Sequence, residues 1–370
     1  MKILMVCNYS SGISGVWTRV LEEAKEFIKQ GHEVYVFSSD QQENGEKELS
    51  TQEILDVRLN NGIDIERFPI KRKVGYAIWF DFEKEALNLK PDVIIAHGLR
   101  KPYLNKVLKI KKKIGCKAFL ITHAPFVDKE LRSWKTNFII FLYDTFFGKK
   151  IMNSFDKIIS ICRWEKEILL KLGCKEDKIV YLPNSLSEEF FNKEPISEEK
   201  KILYLGRMNP VKEIELLIEA FKESNSSSNG YKLEIVSSNE GEYYKKLFSI
   251  SNKNVIFTEP IYDLNKKIEK IDSAEIFVLP SKKESLPFGI IEAMSRGKIV
   301  IATNTKGALE LIEDKKNGFL FDIGDKGGLI GILNNKLSEK RKKQIGQEAK
   351  KSSQEFRISN VMDKWEELFK

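Results

Sequence analysis

Residues 275–297 read EIFVLPSKKESLPFGIIEAMSRG. Ile276-Phe277-Val278-Leu279 is a short apolar run, as expected of a strand buried on both faces of a parallel sheet. Pro280 ends it, because proline cannot continue a central ladder. After the polar loop Lys282-Lys283-Glu284-Ser285, Pro287 stands where a helix begins, its missing N–H being no loss there. Ile290, Ile291 and Met294 give that helix an apolar face, Gly297 stops it, and Lys298-Ile299-Val300-Ile301-Ala302 is a second buried strand. This is a strand–loop–helix–strand unit, and sheets built of such units bind ligands at the carboxyl ends of their strands.

Glu284 lies in the loop of this unit and Glu292 in its helix. The amides near Phe288 and Gly289 lack helical partners and form an anion site, with glycine at 289 admitting a close ligand. Carboxylates accept hydrogen bonds from hydroxyls, so two beside an anion site suit a phosphorylated polyol such as a sugar nucleotide. The alternative is two helix-start acids favoured by the dipole.

Upstream, Lys201-Ile202-Leu203-Tyr204-Leu205 opens the same α/β domain, followed by the loop Gly206-Arg207-Met208-Asn209-Pro210-Val211-Lys212 and a helix from about Glu213. Arginine bonds two oxygens at once and lysine adds a mobile charge, so Arg207 and Lys212 read as a pyrophosphate clamp, or else as two surface cations. Lys232–Val236 and Asn254–Phe257 are further strands, with Thr258 to Ile261 at the exit of the latter. The charged stretch at 184–200 marks the domain boundary.

The front half repeats the pattern. Lys2–Cys7 is a strand, the loop Asn8–Gly15 contains Gly12 and Gly15, and a helix runs from about Val16 to Gln30. A glycine-containing first loop fits a phosphate-binding turn, although it is not a GxGxxG fingerprint. Residues 41–56 read as a polar surface excursion. Pro91–Gly98 is a strand ending in a histidine and a glycine, and Ala118–His123 is one ending in histidine, which places His97 and His123 at the ligand edge of one sheet. Residues 137–152, NFIIFLYDTFFGKKIM, read as a core helix, with an interfacial helix as the alternative. A last helix from about Ser359 carries Val361, Trp365, Leu368 and Phe369 as an apolar stripe that must dock.

The chain has 370 residues and a net charge of +8, a length that suits two domains. Its four cysteines lack metal-ligand spacing and are expected as reduced thiols in the cytoplasm. MKILMVCNYS reads as a first strand rather than a signal peptide, and no apolar run reaches the roughly 18 residues of a membrane span. Residues 101–150 hold twelve lysines and arginines against three acids, a local field that attracts an anionic surface or else a solvated helix face.

KPDVIIAHG, SFDKIISICRWEKEILLKLGCKEDKIVYLPNS, ILYLGRMNPVKEIELLIEAF and EIFVLPSKKESLPFGIIEAMSRGKIVIATNTKGALELIEDKKNGFLF follow one another in an order that resembles the family 4 retaining glycosyltransferases, with Glu284 and Glu292 matching the family's E-x7-E motif. The resemblance implies the GT-B fold: α/β, two Rossmann-like doubly wound domains facing across a cleft, and a C-terminal helix crossing back to the first domain. The implied domains are residues 1–185, acceptor-side, joined by a helix at about 355–370, and residues 186–354, which bind the nucleotide sugar. The implied reaction moves a sugar from a nucleotide-diphosphate donor to a glycan, lipid-linked or small-molecule acceptor with retention of configuration.

Carried over residue by residue, Glu284, His97, Arg207 and Lys212 are the catalytic set. Gly12, Gly15, Arg207, Lys212, Ile261, Glu284, Phe288, Gly289, Ile290 and Glu292 contact the donor, and His123 is an acceptor-side candidate. No cofactor and no metal are expected. Ser237-Ser238-Asn239, Thr258-Glu259 and Ser185 depart from the family's glycines near the nucleotide, which leaves the base unread. The expected location is cytoplasmic, with peripheral contact at an anionic membrane through residues 101–150. The other readings are a GT-B epimerase or phosphorylase and, ranked lower, a nucleic-acid-binding protein.

Overall fold

The computed structural model describes residues 1–11, 14–41, 62–75, 77–126, 132–196, 198–335 and 338–370. Gly12 and all but the start of the excursion at 41–56 lie outside these residues. The chain divides into two compact units, Met1–Ser185 with Ile358–Lys370, and Leu186–Arg357.

The first unit is built from β1 (Lys2–Val6), β2 (Glu33–Ser39), β3 (Asp64–Phe68), β4 (Ile70–Val74), β5 (Ala77–Phe80), β6 (Val93–His97), β7 (Lys117–Ile121), β8 (Lys157–Ser160) and β9 (Ile179–Tyr181). Seven of these form one sheet in the order β3-β2-β1-β6-β7-β8-β9. Every pair in it is parallel, with Met5 opposite Val36 on one side and Ile95 on the other. The central strands β1 and β6 are buried almost throughout, which is why they read as unbroken apolar runs. The small antiparallel hairpin β4–β5 stands apart from this sheet and had no signal in the sequence, because Lys71-Arg72-Lys73 masks its alternation.

The helix Gly15–Lys29 follows β1 and starts at Ser14, whose hydroxyl accepts from the Trp17 amide at 3.2 Å. Against it lies the last helix, Ile358–Phe369, which belongs to this unit as the resemblance implied. Trp365 is fully buried there, with ring contacts to Phe27 at 6.0 Å and Phe119 at 5.6 Å. Its indole N–H donates to Glu23 Oε1 at 3.2 Å. Arg19 binds the same carboxylate at 3.0 Å and donates to the Leu182 carbonyl at 3.0 Å. Arg19 and Glu23 are both fully buried, so removing either charge strands the other, at about 3–5 kcal/mol. Lys117 Nζ donates to the Phe369 carbonyl at 2.9 Å, a cation at the negative end of the helix.

One expectation fails in this unit. The apolar stretch at 137–152 read as a core helix is buried only at Gly148, Ile151 and Met152, whereas the helix Trp134–Tyr143 buries no residue. Its inward side holds the half-buried Tyr143 and leads to Asp144, so the apolar residues are left facing outward. Part of the positive charge of residues 101–150 is met by acids outside that stretch. From the helix Leu104–Ile114, Lys106 pairs with Asp81, Lys109 and Lys113 with Glu83 at 2.8 Å, and Lys111 with Asp156 at 2.9 Å.

The second unit holds β10 (Glu199–Leu205), β11 (Lys232–Val236), β12 (Val255–Thr258), β13 (Ala274–Leu279), β14 (Ile299–Thr303) and β15 (Phe319–Phe321). Their order is β12-β11-β10-β13-β14-β15, parallel throughout. Arg296, at the end of the helix Phe288–Ser295, makes a buried bidentate pair with Asp272 at 2.8 and 2.9 Å. Its remaining N–H donates to the Phe190 carbonyl at 2.9 Å. Fork geometry of this kind fixes two elements at once.

Candidate functional site

Each sheet reverses its strand order once, between β1 and β6 in the first unit and between β10 and β13 in the second. Ligands of doubly wound sheets sit at such reversals, outside the carboxyl ends of the strands. Arg207, Lys212 and Glu284 follow β10 and β13, while His97 ends β6. The candidate residues therefore fall at the two reversals, and each is described within its own unit.

In the second unit the loop after β10 is shaped by Tyr204, which is fully buried and donates to the Arg207 carbonyl at 2.9 Å. Gly206 is small for the same reason, since a Cβ there would sit 3.0 Å from the Tyr204 hydroxyl. Asn209 accepts from the Val211 amide at 2.9 Å, and Pro210–Lys212 form one 3₁₀ turn. Glu213 then takes a left-handed conformation, φ 49°, before the helix Ile214–Glu223. This sequence of cap, proline and reversal fixes the backbone at Lys212, whose ammonium meets Glu284 Oε1 at 2.5 Å.

The Glu284 loop is held on two sides. Lys282 donates its amide to the Val211 carbonyl at 2.9 Å, and Gly307 donates to the Glu284 carbonyl at 3.1 Å. A Cβ on Gly307 would fall 2.4 Å from the Ser285 carbonyl oxygen, so only glycine fits. Burial pushes the Tyr204 hydroxyl well above the usual tyrosine range, the Glu284 carboxylate adds to this, and the Arg207 cation opposes it. Arg207 and Glu284 thus bracket one buried hydroxyl, with Arg207 itself exposed. Burial lowers the Lys283 ammonium, partly offset by Glu284.

The helix Phe288–Ser295 begins after Pro287, which makes no side-chain cap. The amides of Phe288, Gly289 and Ile290 therefore stand without the intrahelical partner that later residues have. The reason for glycine at 289 differs from the one read in the sequence. A Cβ there would meet the Phe277 ring at 2.9 Å, so the missing side chain lets the helix pack on the sheet. Glu292 is 2% exposed and paired with Lys267 of the helix Leu264–Asp272. Ile261 is half-buried beyond the edge strand β12, separated from β10 by β11.

Tyr204 and Lys267 were missed by sequence reasoning. The buried glutamates themselves are the signal that finds lysines in the helix Leu264–Asp272. Glu234 in mid-strand is held by Lys270 at 2.6 Å, by Lys201 at 3.1 Å and by the Thr258 hydroxyl at 2.7 Å. Burial acts to raise its pKa, but these bonds outweigh it and the carboxyl lies below its ordinary value.

In the first unit His97 Nδ1 and His123 Nε2 are 3.1 Å apart, with the rings stacked at 5.3 Å. Tyr103 donates its hydroxyl to the His97 carbonyl. Burial holds the His97 imidazole well below the usual histidine range, and the Arg19 cation adds to that. His123 is lowered likewise by burial, then by His97, Arg19 and Lys101. Both rings are thus neutral at pH 7, each with one protonated nitrogen that can donate and one bare nitrogen that can accept. His97 Nε2 is buried with no hydrogen-bond partner.

The backbone beside this pair is strained, with His123 at φ 55° and Ala124 at φ 47°. Thr122 sets it by accepting from the Ala124 amide at 3.4 Å and donating to Glu165 at 2.6 Å. Gly15 opens the first helix, and Gly12 lies outside the described residues. Among the described residues no three His, Cys, Asp or Glu side chains cluster as a metal site.

The sequence models of two glycosyltransferase families match the chain in succession: Glycosyltransferase Family 4 over residues 13–190 and Glycosyl transferases group 1 over residues 187–352. An uncharacterised glycosyltransferase of Methanocaldococcus jannaschii is 24% identical over 353 residues, 88% of each chain. The lipopolysaccharide 1,2-N-acetylglucosaminetransferase of Salmonella typhimurium is 28% identical over 51% of this chain and 55% of its own. The Anabaena protein HepE, solved with UDP and glucose, superposes over 100% of this chain and 99% of its own with a TM-score of 0.76 at 17% identity, a likeness of fold. With two parallel doubly wound units, a last helix returned to the first, and both halves matched by these models, the chain belongs to the family 4 glycosyltransferases and has their GT-B fold.

Proposed function

We propose that this glycosyltransferase takes a sugar from a nucleotide-diphosphate donor and passes it, with retained configuration, to a glycan, lipid-linked or small-molecule acceptor. The observation that carries the reading is the Lys212–Glu284 pair at the second unit's strand reversal, beside an uncapped helix start. Arg207, Lys212 and the amides of Phe288, Gly289 and Ile290 hold the diphosphate and stabilise the charge that grows on it as it leaves. Lys212 exchanges its carboxylate partner for phosphate oxygens, which releases Glu284 to accept from the sugar's hydroxyls. Glu292, 2% exposed and paired with Lys267, accepts from ribose hydroxyls. The neutral His97 and His123 offer hydrogen bonds to sugar hydroxyls rather than charge.

The reading gives the positive role to these groups rather than to a metal ion, so a chelator leaves the rate unchanged. It includes a cytoplasmic location with peripheral contact at an anionic membrane. Donor supply by a nucleotide sugar is supported by the HepE complexes with UDP and with UDP-glucose. Hydrogen exchange with UDP or GDP tests it: protection is expected at residues 206–212 and 284–292. Protection confined to the first unit would overturn it.

A further inference from the structure

The helix Trp134–Tyr143 turns an apolar face to solvent. Trp134 is 74% exposed and Phe146 69%, with Phe138, Ile139, Phe141 and Phe147 more than half exposed beside them. Soluble proteins scatter such residues singly; a contiguous set marks a surface that something covers. The segment is firmly held from behind. Asp144 makes a bidentate pair with Arg100 at 2.9 and 2.6 Å, and Gly148 is buried.

Two features say what covers it. The cations are placed beside the aromatics: Lys135 lies 5.9 Å from the Trp134 ring, and Lys149 and Lys150 follow the last phenylalanines. The one acid between residues 132 and 150 is Asp144, already neutralised by Arg100. Tryptophan and phenylalanine flanked by lysine suit the boundary between acyl chains and anionic headgroups. A second copy suits it poorly, because a two-fold contact would set these lysines against themselves. The helix is ten residues long, and no helix among the described residues is long and apolar enough to cross a membrane. It therefore lies in the plane of the surface.

We infer that residues 134–150 dock the first unit on an anionic lipid bilayer, with the aromatic face entering the headgroup layer and the lysines meeting lipid phosphates. This deepens the membrane contact proposed above and rests on it. It moves that contact away from the helix Leu104–Ile114, four of whose five lysines are engaged by Asp81, Glu83 and Asp156. An enzyme so placed meets an acceptor carried in the same bilayer.

Co-sedimentation of the full chain with vesicles of phosphatidylcholine, alone or mixed with phosphatidylglycerol, tests the inference. Wild type binds the mixed vesicles and releases them at high salt. Phe138→Ser/Phe141→Ser/Phe146→Ser weakens binding by about tenfold or more. Replacing Lys135, Lys149 and Lys150 by Gln costs about fivefold per lysine. The thermal shift produced by UDP or GDP stays as in wild type for both variants, which shows them folded and keeps donor binding separate. Equal binding to neutral and mixed vesicles, or a serine variant that binds like wild type, overturns the inference. So does a wild-type dimer in vesicle-free buffer that the serine variant splits, since the cover is then a second copy.

Discussion

The two strand reversals are built alike and charged differently. At the second unit's reversal the charges of Arg207 and Glu284 act on the buried Tyr204 hydroxyl, Lys212 pairs with Glu284, and a helix presents uncapped amides. At the first unit's reversal His97 and His123 touch, both neutral, and Arg19, whose charge acts on both rings, is committed to Glu23. The same topology thus makes one edge suited to a charged leaving group and one suited to neutral hydroxyls. In a transfer reaction the first demand dominates the rate, because charge develops on the diphosphate.

The largest expected effect tests that division. Lys212→Ala should lower kcat by about 10²–10³, whereas His97→Asn should cost less, with both proteins equally resistant to heat in the second unit. Equal losses from both would break the contrast. Next comes Gly307→Ala. Its Cβ would strike the Ser285 carbonyl at 2.4 Å and push the Glu284 loop aside. Up to about a hundredfold in kcat/KM should go with that displacement, and a crystal structure of the variant should show Glu284 withdrawn from Lys212.

A smaller effect concerns Gly289. Gly289→Ala should destabilise the second unit by about 1–3 kcal/mol in urea unfolding. Phe277→Leu should restore much of this, since the ring is what the added methyl meets. The smallest effect belongs to the histidines. Their folded pKa values lie below the unfolded value of about 6.5, so the unfolded chain binds more protons in acid. Their contribution is present above pH 6.5 and is lost as pH falls below it. Urea unfolding of the first unit between pH 5 and pH 7.5 should show the decline, and His97→Asn/His123→Asn should flatten it.

Much of this was legible in the chain. Strands such as Val93–His97 and Ile299–Thr303 are buried on both faces, and only unbroken apolar runs satisfy that, so their order gave the doubly wound sheets. The three-residue β15 and the four-residue β5 are apolar but too short to stand out as strands, and β4, Ile70-Lys71-Arg72-Lys73-Val74, has no apolar run. Arg207, Lys212 and Glu284 were named because loops at strand ends are where a sheet exposes function, and the structure has them after β10 and β13. Lys267 and Tyr204 were not, since a lysine on a polar helix and a tyrosine in a strand look ordinary until their partners are placed. Residues 137–152 were misread for the opposite reason: composition says that a segment is apolar, and only the packing around it says what covers it.

The last helix adds one consequence for how the chain comes into being. Ribosomes deliver the first unit's sheet early, but its missing piece, Ile358–Phe369, is translated only after the whole of Leu186–Arg357. Until then Phe27 and Phe119 lack their lid, and Glu23 lacks the indole bond. The earlier unit must therefore wait, incomplete, while the later one is free to finish, which reverses the usual order of folding during synthesis.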